Sequence, residues 1–153
     1  MNLVQFIKNA SAFGSFTDVD LHALASAMEV CEFPSNHVLI NQGMPGGALY
    51  MLVSGTVQVS KMNHKGERID IKVMQEGEVF GLLSLLDNMN AAATCTSIGP
   101  VTVACMNREK YKALDNENRS VGFTLRFVLA SQLSRDLQSF NRSSVSEKPL
   151  VAD

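Results

Sequence analysis

The chain has 153 residues, 46% hydrophobic and 18% charged, which excludes a disordered or collagen-like polymer and leaves one domain enough apolar material for a core. Its net charge of −2 gives no basic footprint for nucleic acid, and no apolar run approaches the ~18 residues of a membrane span. Taken in order, Leu3, Phe6, Ile7, Ala10 and Phe13 fall at helical spacing, and Gly14 stops the pattern. Thr17, with Asp20 three residues on, offers an N-cap to a second helix whose apolar face is Leu21, Leu24, Ala25 and Met28.

From Glu29 the period changes. Cys31 and Phe33 precede the turn Pro34-Ser35-Asn36, and Val38-Leu39-Ile40 precedes Gln42-Gly43 and Pro45-Gly46-Gly47. Ala48–Val53 runs to Ser54-Gly55, and Val57 with Val59 leads to Asn63-His64-Lys65-Gly66. Ile69, Ile71 and Val73 alternate with Arg68, Asp70 and Lys72, which predicts a strand with one wet face. Glu76-Gly77 turns the chain into Val79-Phe80; later, Thr94–Ile98 and Val101–Met106 flank Gly99-Pro100. Short strands at roughly 8–12-residue spacing predict a sandwich or barrel, and a two-sheet antiparallel jelly roll takes eight of them. The expected fold class is mainly β with flanking helices.

Helix returns with Arg108–Leu114, capped by Asn107, and then with a longer segment from about Glu117 to Phe140. Val121–Ala130 is apolar nearly all round; Ala130, Leu133, Leu137 and Phe140 keep one stripe beyond it. Such a helix should lie on its own barrel with one face and on another molecule with the other. Phe123, Phe127, Ala130, Leu133, Leu137 and Phe140 are thus the expected seam of a homodimer. The expected organisation is one domain over 1–141: N-terminal helices at 1–28, jelly roll at 29–107, C-terminal helices at 108–141. The Ser-rich tail, 142–153, is expected to be disordered.

Cys31, Cys95 and Cys105 are odd in number and far apart in sequence, which points to free thiols. With no export signal in MNLVQFIKNASAF, a reduced, cytoplasmic setting is expected. His22, His37 and His64 are scattered and form no metal motif. Ser84 lacks the glycine elbow of a hydrolase nucleophile, so no enzyme activity is expected.

The distinctive stretch is Val79–Thr94. A strand end passes through Gly81 into the apolar run Leu82-Leu83-Ser84-Leu85-Leu86, then a polar turn, then Ala91-Ala92-Ala93-Thr94. This predicts about one turn of helix starting at Leu82 or Leu83, whose free amides face an anion. The stretch resembles the phosphate-binding cassette of the cyclic nucleotide-binding domain family, which includes catabolite-activator-like sensors and protein kinase A regulatory subunits. That cassette reads Phe-Gly-Glu, small apolar residues, a turn, Arg, Ala or Ser, Ala, Thr. The likeness extends over roughly residues 13–141: Phe16–Val30 is similar to the family's opening helix, and Asn41–Gly47 to its glycine-rich turn, with Gln42 where an acidic residue usually stands. Ala48–Gly55 is similar to its aromatic strand.

The resemblance implies a double-stranded β-helix (jelly-roll) barrel and a sensor module in signal transduction. It also implies a ligand frame made of Phe80, Gly81, Leu82, Leu83, Ser84, Ala91, Ala92, Ala93 and Thr94, with a base cap near Phe140 and Asn141. The family's ribose-binding glutamate falls at Leu82 and its phosphate-binding arginine at Ala91. Neither can make the contact, so weak or absent cAMP and cGMP affinity is expected, with only the amides of Gly81, Leu82, Leu83, Ala92 and Ala93 remaining. The effector would be a cyclic nucleotide or another small anionic or apolar molecule; the alternative is a ligand-free dimerisation domain, contacting a second copy or another protein. No nucleic-acid or membrane partner is expected.

Overall fold

The computed structural model describes the backbone of residues 1–87 and 89–147, and within it all side chains except those of 136, 137 and 139–147. Helix α1 spans Leu3–Asn9, a 3-10 turn spans Ser11–Phe13, and α2 spans Asp18–Ser26. The expected first helix therefore breaks at Ala10, whose backbone is extended. Thr17 caps α2 as its spacing predicts, its hydroxyl accepting from the Asp20 amide at 3.2 Å.

The sheet contains β1 (Glu29–Phe33), β2 (Val38–Ile40), β3 (Ala48–Met62), β4 (Arg68–Met74), β5 (Val79–Phe80) and β6 (Thr94–Asn107), all pairs antiparallel. Ser54-Gly55 and Gly99-Pro100, read as turns, are instead irregularities inside the long strands β3 and β6, where the register shifts between Leu52 and Thr56. Each long strand thus supplies two of the eight expected segments. The N-terminal half of β3 and the C-terminal half of β6 join β5 and β1; their other halves join β4 and β2. Hydrogen bonding makes these two halves one six-stranded sheet, not two, and it is not closed into a barrel among the described residues.

Period-two alternation explains the core. Along β3, Leu49, Met51 and Val53 face the helices, while Leu52 and Tyr50 face the concave side of the sheet. The helical side is filled by Ile7, Phe13, Leu21, Leu24, Val121 and Leu125, the concave side by Val57, Met74, Phe80, Cys95 and Val103. β4 departs from expectation: Ile69 and Ile71 are each 51% exposed, so both of its faces are wet. The reason is what packs on it: β3, its pairing partner, is the one element that β4 contacts closely, so little covers either face.

After β6 come α4 (Arg108–Glu117) and α5 (Arg119–Glu147). α5 starts two residues later than expected and continues past Phe140, through half of the segment read as tail; 148–153 lie outside the described residues. Val121, Leu125 and Val128, at helical spacing, seat α5 on the core. Buried Asp20 joins α2 to the α4–α5 junction by accepting from the Ser120 hydroxyl at 2.7 Å.

Candidate functional site

The glycine between β5 and the next helix has a steric reason. Gly81 has φ +83°, and a Cβ there would collide with the Ala48 carbonyl of β3. Only glycine turns the chain from β5 into α3, Leu82–Asp87, which begins at the first of the two predicted residues. The amides of Gly81, Leu82, Leu83, Ala92 and Ala93 donate to no backbone carbonyl among the described residues, as a helix start and an open bend allow.

The side chains at Leu82 and Ala91, where the resemblance implies charges, are buried. Leu82 is 2% exposed and packs in the helical-side core with Leu85 and Val79. Ala91 is 8% exposed, and its peptide is fully engaged: its amide donates to the Met44 carbonyl at 2.9 Å, and its carbonyl accepts from the Gly43 amide at 2.8 Å. With a bridge between Pro45 and Asn90, these bonds zip the return limb of the cassette to the glycine-rich turn. Thr94 also points structurally, its hydroxyl accepting from the Gln42 amide at 3.0 Å. Phe80 stacks on Tyr50, ring centres 5.2 Å apart, on the concave side. Ser84 is buried against Gly46, where a Cβ would strike the serine side chain.

One residue at the site was not anticipated from sequence. The Arg108 guanidinium donates through Nη2 to the carbonyls of Gly46 at 2.9 Å and Ser84 at 2.8 Å, while its amide donates to the Gly47 carbonyl. It fastens α3 and the glycine-rich turn together from behind. Its acceptors are main-chain atoms 62 and 24 residues away, so no side-chain pattern marks it. Gln42 was noticed only as a departure from the family. Its amide oxygen accepts from the Met62 N–H at 2.8 Å and its amide nitrogen donates to the Met62 carbonyl at 3.3 Å. This two-way bond is one a carboxylate could not make.

A cavity of about 860 Å³ opens between α1, the β4–β5 turn and α5; neither it nor two smaller clefts are lined by any residue of 81–94. Of the expected seam, Phe123 (73% exposed), Phe127 (58%), Leu133 (45%) and Ala130 all lie on the outer face of α5. The side chains of Leu137, Phe140 and Asn141, and with them the expected base cap, lie outside the described residues. No helix among the described residues is long and apolar enough to cross a membrane, and no group of three or more His, Cys, Asp or Glu among them could hold a metal ion.

The relatives of this chain include a transcriptional regulator and protein kinase regulatory subunits. The CRP-like cAMP-activated global transcriptional regulator of Mycobacterium tuberculosis is 25% identical over 131 residues, which is 86% of this chain and 58% of that protein. A cAMP-dependent protein kinase regulatory subunit of Dictyostelium discoideum is 29% identical over 141 residues, 90% of this chain and 40% of the relative. The fold matches the regulatory subunit of a cAMP-independent protein kinase A from Trypanosoma cruzi, solved bound to guanosine, with a TM-score of 0.76 at 23% identity, covering 96% of this chain and 50% of the other. The chain therefore spans less than two thirds of the length of these relatives. The family model for the cyclic nucleotide-binding domain matches residues 30–118, the span from β1 through α4 that carries the sheet and the cassette; the chain belongs to the cyclic nucleotide-binding domain family.

Proposed function

We propose that the chain is a regulatory module in signal transduction whose cassette has lost charged recognition, so that it binds cAMP and cGMP weakly or not at all. The observation that carries this is the burial of carbon at both charge positions, Leu82 at 2% and Ala91 at 8% exposure. Losing a charged partner costs a ligand ~2–5 kcal/mol, and ~5 kcal/mol moves a micromolar ligand beyond the millimolar range. The five amides that donate to no backbone carbonyl among the described residues remain as a neutral frame for a small anionic or apolar effector. Relatives named as regulators and kinase regulatory subunits support the regulatory role.

The test is calorimetry with cAMP, cGMP and guanosine, the last because one fold neighbour was solved with it. Neither cyclic nucleotide should bind below about 1 mM. A micromolar Kd for either would sink the reading. Leu82→Glu and Ala91→Arg, made together so that neither charge stands unpaired, should improve cyclic nucleotide affinity at least about tenfold, ~1.4 kcal/mol. A folded double variant with no gain would mean that the frame itself has been rebuilt.

A second reading, a domain that works by self-association through α5, is favoured by the exposed stripe of Phe123, Phe127 and Leu133. A lone monomer would leave that stripe in water.

A further inference from the structure

We propose that Cys31 and Cys105 form a modification site: a dithiol that a small-molecule disulfide converts reversibly into an intramolecular disulfide, stapling edge strand β1 to β6. The two sulfurs lie 3.7 Å apart although 74 residues separate them. In the β1–β6 register Glu29 faces Cys105 and Cys31 faces Val103, so the cysteines are diagonal neighbours on one face of the pair. Sheet twist brings one of the two diagonals together. Both thiols are half-exposed, whereas Cys95 is 5% exposed and serves as an internal control. A disulfide needs a sulfur separation of about 2.05 Å, so the gap must close by about 1.6 Å. Rotation of two side chains and the give of a five-residue edge strand can supply that. A bond made across a diagonal carries strain, and strained, accessible disulfides are the readily reduced ones.

Burial first, then the Cys31 sulfur and the Glu29 charge, push the Cys105 thiol up to about 11. Either thiol can open the exchange, and the balance is the same from both ends. Starting from Cys31, its thiolate displaces one half of the small disulfide, giving a mixed disulfide and one free small thiol. Cys105 then gives its proton to solvent and attacks the Cys31 sulfur, expelling the second small thiol. Two protein thiols and one small disulfide become one protein disulfide and two small thiols, so protons and electrons balance.

The site also lies close to the cassette, though it does not rest on any ligand there. Tyr50 pairs with Cys105 across β3–β6 and with Phe80 across β3–β5, and Phe80 leads directly into Gly81.

The experiment is incubation of the full chain with oxidised glutathione, then thiol blocking and peptide mapping by mass spectrometry. The chain should become lighter by two hydrogens, carry one peptide cross-linked between Cys31 and Cys105, and return to the reduced form with dithiothreitol. Cys95→Ser should behave the same way. Cys105→Ser should stop at a glutathione adduct on Cys31, and Cys31→Ser at an adduct on Cys105, neither forming the intramolecular bridge. A parent chain that keeps stable glutathione adducts, bridges through Cys95, forms only intermolecular bridges or resists oxidation would overturn the proposal. Because the parent map decides alone, a serine variant that fails to fold leaves the test intact.

Discussion

The cassette and the last helix both carry large apolar side chains where a solvated surface is the default, and the fold treats them in opposite ways. Leu82, where the family resemblance implies a charge, is drawn into the core beside Leu85 and Val79 at 2% exposure. Phe127, on a helix whose other face is seated through Val121, Leu125 and Val128, stays 58% exposed in line with Phe123 and Leu133. An apolar residue at the start of α3 is thus absorbed by its own domain, whereas the apolar row on the outer face of α5 is left in water by this one chain. The difference teaches that hydrophobicity at Leu82 is a statement about the core, whereas hydrophobicity on the outer face of α5 is not, which is what the proposed self-association would answer.

The sharpest way to break that comparison is truncation at both places. Leu82→Ala should cost about 2–4 kcal/mol through lost burial and a residual cavity, read as a lower denaturation midpoint with an unchanged slope. Phe127→Ala should change the stability of the isolated monomer by less than about 0.5 kcal/mol. Light scattering completes the test: the parent should be dimeric at micromolar concentration, and Phe127→Glu with Leu133→Glu should be monomeric and still folded. A monomeric parent would leave the α5 stripe unexplained and remove the self-association reading. Equal costs for the two alanine changes would erase the contrast between the regions.

A second change sharpens the cassette side alone. Arg108 holds the carbonyls of Gly46 and Ser84 with one nitrogen, so Arg108→Met should free α3 from the glycine-rich turn while keeping a long side chain in place. Hydrogen bonds to a charged donor contribute about 1.5–3 kcal/mol, and a loss of roughly 2–3 kcal/mol is expected. Amide exchange should accelerate at Leu85 and Ala91 more than along β3. Uniform acceleration would mean that Arg108 supports the whole domain and not the cassette in particular.

How much of this was legible before the fold was known divides along the same line. The Thr17 cap, the start of α3 and the two faces of α5 follow from local rules: a capping side chain, a glycine before an apolar run, and a helical period. Each needs only neighbours within a turn or two. The kinks at Ser54-Gly55 and Gly99-Pro100 were visible as breaks, but whether a strand ends or bends there depends on its cross-strand partners. Arg108 was invisible because its acceptors are backbone atoms with no sequence identity. The proximity of Cys31 and Cys105 required a register that joins residues 74 positions apart. The wet faces of β4 follow from the lack of close packing over it, which alternation alone does not encode.

The smallest expected effect lies at the hinge between the two regions' logics, at Gln42. There a neutral amide stands where the resemblance implies an acid, and its partner accounts for it: Met62 offers both an N–H and a carbonyl, and the amide answers both. Gln42→Glu keeps an acceptor for the N–H but loses the donor, leaving a carboxylate oxygen against the Met62 carbonyl. The site is partly solvated, so the cost at neutral pH should be modest, about 0.5–1 kcal/mol. The sign of its pH dependence is diagnostic. Below roughly pH 4 the carboxyl is protonated and can donate again, so the gap between variant and parent should narrow on acidification. Chemical denaturation of both proteins at neutral pH and near pH 4 measures this directly. A gap that stays constant or widens in acid would show that shape, and not the two-way hydrogen bond, is what Gln42 supplies.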